Sequence, residues 1–135
     1  MSDVADKNKT KPRIAVVDDE PAIRKSLVRL LGAAGFEVHA YASGQDMLDA
    51  CHQMHFDCAL IDLQMPGLNG FQVFEELRRS NQRMPVIIMT ASGDPVVRKS
   101  SSELGIDLLL LKPLDGEGLL RTLRTLVGRV EFKHV

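Results

Sequence analysis

Three carboxylates, a hydroxyl and an ammonium each stand just past a short apolar run in this sequence. Ile14-Ala15-Val16-Val17 stops at Asp18-Asp19, Cys58-Ala59-Leu60-Ile61 at Asp62, Pro85–Met89 at Thr90 and Ile106–Leu111 at Lys112. If the runs are parallel strands, their carboxyl ends point one way and the five side chains meet on one edge of the sheet. Carboxylates crowded there need compensation, because two unit charges about 4 Å apart repel by roughly 4 kcal/mol at an effective dielectric near 20. A divalent cation provides it, and oxygen ligands with room for waters suit Mg²⁺ or Mn²⁺. Lys112 adds a point charge able to pair with a carboxylate or a phosphoryl oxygen. Thr90 adds a hydroxyl that can donate to the same oxygen. A cation, an ammonium and a hydroxyl around one carboxylate suit phosphoryl transfer, with Asp62 as the nucleophile.

Taken singly, each of these residues is ordinary. An Asp after a strand is most often a turn or cap residue, and Lys-Pro is most often a strand stop. Their joint occurrence at the ends of the first, third, fourth and fifth strands carries the chemistry, in a chain with no other candidate site.

The elements that must position them follow from periodicity. Pro21 suits the first turn of a helix, and Ile23, Leu27, Leu30, Leu31 and Ala34 make one apolar stripe before Gly35 stops it. Phe36–Tyr41 reads as a strand with Phe36, Val38 and Ala40 on one side. Ser43 reads as an N-cap, with Asp46 three residues on, opening a helix that carries Met47, Leu48, Cys51 and Met54. Beyond the Pro66-Gly67 turn, Phe71, Phe74 and Leu77 mark a third helix. Asp94-Pro95 opens a fourth, weak helix, with Ser100, Ser101 and Ser102 in its middle and Val97 and Leu104 as its few apolar anchors. The last helix starts at Asp115 or Gly116, buries Leu119, Leu120, Leu123, Leu126 and Val127, and stops at Gly128. Five β-α repeats call for an α/β fold, a parallel sheet with helices on both faces and right-handed crossovers. The expected organisation is a flexible tail over residues 1–12, one domain over 13–128 and a short tail over 129–135.

Composition narrows the function classes. Hydrophobic residues make up 44% and charged residues 26% of the 135 residues, which is globular composition. A net charge of −1 gives no bulk field toward DNA or an anionic membrane. Arg121, Arg124 and Arg129 are too few for a nucleic-acid face, and aromatics are scarce. Cys51 and Cys58 make no disulfide framework and read as reduced packing residues. Cys51, His52, His55 and Cys58 match no zinc spacing, and Gly67 and Gly70 belong to no nucleotide-binding loop. With no secretory signal and no apolar run near the roughly 20 residues of a membrane helix, the expected location is the cytoplasm.

Over about residues 13–127 the sequence resembles the receiver domain of bacterial response regulators. The matching pieces are Val16-Val17-Asp18-Asp19-Glu20-Pro21, Leu60-Ile61-Asp62-Leu63-Gln64-Met65-Pro66-Gly67-Leu68-Asn69-Gly70, Ile88-Met89-Thr90-Ala91 and Leu111-Lys112-Pro113. Ile23-Arg24-Lys25-Ser26-Leu27 and the stretch from Met65 to Gly70 are most similar to receivers of the nitrogen-fixation regulator group. The resemblance implies a doubly wound, flavodoxin-like (βα)5 fold with strand order 2-1-3-4-5. It implies that Asp62 accepts a phosphoryl group from a sensor histidine kinase or a phosphotransfer protein. Asp19 and Asp62 would bind Mg²⁺ directly with the backbone carbonyl of Gln64, and Asp18 mainly through water. Lys112 would contact the phosphoryl group, with a cis Lys112–Pro113 bond. Thr90 would couple the phosphate to the face made by the fourth helix, fifth strand and fifth helix, a face for a phosphorylation-dependent dimer or a downstream protein. Gln64 and Ser92 occupy positions that tune dephosphorylation. Such a protein catalyses only its own phosphorylation and dephosphorylation and is not otherwise an enzyme. One residue departs from the pattern: Leu109 stands where the family usually has Tyr or Phe, the partner of the Thr switch.

Other functions fit less well. A hydrolase of the haloacid dehalogenase type also uses a nucleophilic Asp, but its second Asp is Gln64 here and no cap domain fits. A flavodoxin-like electron carrier needs a phosphate loop where Asp18-Asp19-Glu20-Pro21 would repel phosphate. A receiver-like scaffold acting only by protein binding, without phosphorylation, is the remaining alternative, and the intact Asp62, Thr90 and Lys112 argue against it. About seven residues after the last helix are too few for an output domain, so the expectation is a single-domain regulator or the receiver of a longer chain.

Overall fold

Five apolar stretches pair side by side into one parallel sheet. The computed structural model describes residues 11–133. Its strands are β1 (Arg13–Val17), β2 (Glu37–Tyr41), β3 (Cys58–Asp62), β4 (Val86–Thr90) and β5 (Leu108–Leu111). They alternate with helices α1 (Pro21–Ala33), α2 (Gly44–Ala50), α3 (Gly70–Arg79), α4 (Pro95–Leu104) and α5 (Gly116–Lys133). The sheet order is β2-β1-β3-β4-β5, all neighbours parallel, as the resemblance implied.

Strands β3 and β4 are buried throughout, which explains their unbroken apolar sequence. On one face Ala15, Val17, Ala59, Ile61, Val86 and Ile88 pack with Met47 of α2, Val73, Phe74 and Leu77 of α3, and the partly buried Val97 and Leu104 of α4. On the other, Ile14, Val16, Cys58, Leu60, Ile87 and Met89 meet Leu27 and Leu31 of α1 and Leu119 and Leu123 of α5. Two layers of helix thus close both faces and leave the two sheet ends open to solvent.

The local signals act as their chemistry requires. Ser43 Oγ accepts from Asp46 N–H at 3.1 Å and caps α2. A reciprocal capping box that the sequence reading passed over, Asn69 with Gln72, starts α3 directly after the Asp62 loop. Strands β2 and β4 start one residue later than expected, and β4 takes in Thr90; other boundaries differ by more. The fifth strand begins at Leu108, because Ile106 N–H bonds back to Ser101 O at 3.1 Å across the left-handed Gly105 and so belongs to the end of α4. The α2 helix ends at Ala50, leaving Met54 just past the turns that follow it. The last helix does not stop at Gly128 but runs on to Lys133; glycine in a helix interior is unfavourable by about 1 kcal/mol relative to alanine, which neighbouring turns overcome. At the other end, Glu37 N–H donates to Pro12 O at 2.8 Å, so ordered pairing starts inside the expected 1–12 tail, whose residues 1–10 lie outside the described residues. Cys51 and Cys58 are both free thiols, and burial pushes that of Cys58 up to about 12.

Candidate functional site

The carboxyl ends of β1, β3, β4 and β5 bring their terminal side chains to one edge. Asp18, first after β1, has its N–H tied to Tyr41 O at 3.1 Å, and its side chain is fully buried. Its Oδ1 accepts from Glu20 N–H at 2.9 Å and its Oδ2 from Lys112 Nζ at 3.0 Å. Its backbone carbonyl accepts from Arg24 Nη1 at 2.7 Å, which anchors the start of α1 to the site. Asp62 ends β3 at 5% exposure, with Oδ1 3.2 Å from Lys112 Nζ. Asp19 is exposed beside them. One carboxylate oxygen from each of Asp18, Asp19 and Asp62 lies within 4.8 Å of the others, the only such acidic or metal-ligating group among the described residues. Cys51, His52, His55 and Cys58 form no such group there.

Lys112 is the counter-charge. Its ammonium reaches Asp18 and Asp62, with Glu20 Oε1 at 3.9 Å, while its backbone N–H donates to Thr90 O at 2.8 Å. Its side chain is thereby aimed along the sheet edge by the β4–β5 ladder itself. Burial pulls its pKa down, but hydrogen bonds and charge from Asp18 and Asp62 outweigh this and hold it above the ordinary lysine value. Burial pushes the Asp62 carboxyl up, and the Asp18 charge pushes the same way; Lys112 offsets part of both. One ammonium faces four carboxylates, so the edge is still short of positive charge. Clustered oxygen donors with open solvent on one side fit a hard divalent cation.

Thr90, the last residue of β4, is fully buried, and its Oγ1 accepts from Ser92 N–H at 3.0 Å. Ser92 is half-buried in the loop that follows, and Gln64 is exposed two residues after Asp62. Leu109 is half-buried on the sheet face that carries α3 and α4 and packs against their core. The Lys112–Pro113 bond is cis.

One contributor was not singled out as a site residue. Gly70 N–H donates to Leu63 O at 2.9 Å, and a Cβ at Gly70 would sit 2.8 Å from Asp62 O and 3.0 Å from Leu63 Cα. Only glycine lets α3 start this close under the Asp62 backbone. Its signal in the sequence was a helix beginning at glycine rather than after it.

The response regulator receiver domain family matches residues 14–124, and the chain belongs to it. It is 34% identical over 122 residues to the transcriptional regulatory protein FixJ of Bradyrhizobium diazoefficiens, covering 90% of this chain and 60% of that protein. It is 37% identical over 121 residues to the probable transcriptional regulator ycf27 of Cyanophora paradoxa, covering 90% of this chain and 50% of the relative. The chain thus spans about half to three-fifths of the length of these curated relatives. Among solved structures, the chemotaxis protein CheY4 of Vibrio cholerae superposes with a TM-score of 0.81 at 28% identity, over 87% of this chain and 99% of that one. The response regulator TrrA of Thermotoga maritima, in complex with Mg²⁺-BeF, gives 0.77 at 30% identity, over 85% and 98%. Receiver domains bind Mg²⁺ at an acidic cluster of this kind and act as signalling proteins.

Proposed function

We propose that this chain is a phosphorylation-driven receiver in which Asp62 accepts a phosphoryl group from a histidine kinase or a phosphotransfer protein. The observation that carries this is the buried Asp62 carboxylate held 3.2 Å from Lys112 Nζ, at an edge where Asp18 and Asp19 lie within reach of the same cation. One Asp62 oxygen attacks phosphorus as the bond to the donor nitrogen breaks, and the donor imidazole, already protonated on its other ring nitrogen, leaves neutral. Dephosphorylation is attack of water on the same phosphorus, which returns the carboxylate and inorganic phosphate. Asp19, Asp62 and the Gln64 backbone carbonyl would hold Mg²⁺, with Asp18 acting mainly through water. Engagement of both Asp18 oxygens by Glu20 N–H and Lys112 favours that division. When bound, Mg²⁺ neutralises the carboxylates and the phosphoryl oxygens. Lys112 swings from its carboxylate partners to a phosphoryl oxygen, and the Thr90 hydroxyl donates to another. Gln64 and Ser92 flank the phosphorus and set how readily water reaches it.

Relatives named as transcriptional regulators extend well beyond the length of this chain, and a chemotaxis protein of receiver length matches it almost whole. Output therefore runs through a protein partner or a linked output domain. The α4–β5–α5 face, with Val96 and Leu111 exposed, is where either one, or a second phosphorylated copy, would dock. Among the described residues no helix is long and apolar enough to cross a membrane, which fits action in the cytoplasm.

The test is incubation with Mg²⁺ and acetyl phosphate, read by intact mass, with Asp62→Asn in parallel. One added phosphoryl group on the wild type alone is expected. Addition to neither, with Mg²⁺ binding intact, would favour the scaffold alternative.

A further inference from the structure

Asp18 is held at every polar atom it has. Its N–H donates to Tyr41 O at 3.1 Å, and its Oδ1 and Oδ2 accept from Glu20 N–H at 2.9 Å and Lys112 Nζ at 3.0 Å. Its carbonyl accepts from Arg24 Nη1 at 2.7 Å, the shortest of the four, and this bond bears on Asp19. Asp18 C=O and Asp19 N–H belong to one planar peptide unit, so a group that grips the carbonyl fixes the plane from which Asp19 departs. Asp19 is exposed, and none of the hydrogen bonds or ion pairs among the described residues ends on its carboxylate. Its approach to within 4.8 Å of the Asp18 and Asp62 oxygens is therefore set by its backbone.

Arg24 stands where helix chemistry disfavours it. The α1 helix has no side-chain cap at Glu20, opens on Pro21 and carries no acid in its first turn. The helix dipole is positive at this end, so a cation here is a misfit. Arg24 N–H donates to Glu20 O at 3.1 Å, and its side chain leans toward the helix N-terminus to reach Asp18 O, six residues back. Lys25 carries the same charge one residue on, but it is exposed and makes no such bond among the described residues. A residue that breaks a local rule without gain to its own helix has its gain elsewhere.

We propose that Arg24 is a positioning residue of the metal site, aiming the Asp19 carboxylate by clamping the Asp18–Asp19 peptide from α1. This rests on the reading that Asp19 and Asp62 hold Mg²⁺ beside the phosphoacceptor. Arg24 acts through Asp19 and not on the reacting atoms. The clamp works against its own charge, because a guanidinium beside the acidic edge repels a divalent cation. If Arg24 acted by charge alone, its removal would tighten Mg²⁺ binding. As a clamp, its removal weakens binding. The two roles predict opposite signs.

The experiment is a calorimetric Mg²⁺ titration of the full chain as wild type, Arg24→Met and Lys25→Met. Urea unfolding and amide ¹⁵N relaxation are read on the same proteins without metal. Arg24→Met keeps the apolar stem and removes the donor and the charge. Its Kd for Mg²⁺ is expected to rise about tenfold, the lower end for losing a group that orients a metal ligand. The order parameter of its Asp19 amide is expected to fall from the rigid range near 0.85 to about 0.6. Lys25→Met loses the same charge without the bond, so its Kd stays level or falls and its Asp19 amide stays rigid. An unchanged or lower Kd in Arg24→Met, an equal loss in Lys25→Met, or an Asp19 amide that stays rigid in Arg24→Met would overturn the clamp. A lowered urea midpoint with Kd unchanged would make Arg24 a helix anchor only. Failure of the wild type to bind Mg²⁺ would instead remove the metal-site reading, and the clamp with it.

Discussion

Lys112 is hydrogen-bonded to Asp18 at 3.0 Å, slightly closer than its 3.2 Å approach to Asp62. The resting site thus parks its one ammonium between the fully buried carboxylate and the nucleophile. Asp18 is the costlier of the two to strip of partners, since its side chain is fully buried and Glu20 N–H also holds it. Asp62, at the rim, is the one that can trade Lys112 for another partner. A site arranged this way is stable when empty of phosphate and still has its cation within a side-chain swing of the reacting atom.

Removing the ammonium strands Asp18. Lys112→Ala is expected to lower the stability of the metal-free protein by roughly 3 kcal/mol, the scale of breaking a buried ion pair from one side. The same variant leaves the four carboxylates of this edge unopposed, so its Mg²⁺ affinity rises above the wild type and saturating Mg²⁺ recovers much of the lost stability. Urea unfolding with and without Mg²⁺, together with a metal titration, reads both; weaker Mg²⁺ binding in the variant would count against the crowded-carboxylate account.

Removing the nucleophile does the reverse. The Asp62 pKa is raised, first by burial and then by Asp18. An acid whose folded pKa lies above its unfolded value penalises the fold once ionised. Asp62→Asn is therefore expected to stabilise the metal-free protein at pH 7, read as a higher urea midpoint than the wild type. The penalty is full above the raised folded pKa and vanishes as pH falls toward the ordinary 3.8. The advantage of Asp62→Asn over wild type must accordingly shrink on acidification, and paired urea midpoints from pH 7 to pH 4 measure it.

Gly70 sets the distance between α3 and the nucleophile. An alanine Cβ there meets the Asp62 carbonyl oxygen at 2.8 Å and Leu63 Cα at 3.0 Å, both backbone, so neither can rotate aside. Gly70→Ala is expected to destabilise the fold by about 1 to 3 kcal/mol and to slow phosphoryl uptake from acetyl phosphate by displacing Asp62. Thermal melts and a time course of intact mass check it. Gly93, whose Cβ would meet nothing within 4 Å, is the control position for the melt.

The strand ends were legible because β3 and β4 are covered on both faces and so spell unbroken apolar runs, which stop where the sheet stops. The site could then be listed by asking what stands after each run. What stayed hidden depends on distance rather than pattern. The Lys112–Asp18 bond joins residues 94 apart in sequence, and no periodicity predicts which carboxylate the ammonium prefers. Gly70 matters only because the Asp62 carbonyl lies over it. Gly128 was misplaced for the opposite reason. Glycine is a strong stop only where the chain needs positive φ, as at Gly35 and Gly105, and a weak one otherwise.

That difference makes Gly128 a site for gain rather than loss. It lies inside α5, outside the positive-φ region, and a Cβ there would meet nothing within 4 Å. Alanine adds helix propensity and restricts the unfolded chain without a clash, so Gly128→Ala is expected to stabilise the protein by about 0.5 to 1 kcal/mol. The gain comes from the helix end beyond Val127, which is remote from Asp62, so phosphoryl uptake should not change. A higher urea midpoint with an unchanged slope and an unchanged mass time course is the expected pair of results. Loss of stability would show instead that α5 needs the glycine backbone at this position, and that the chain past Gly128 is not a simple continuation of the helix.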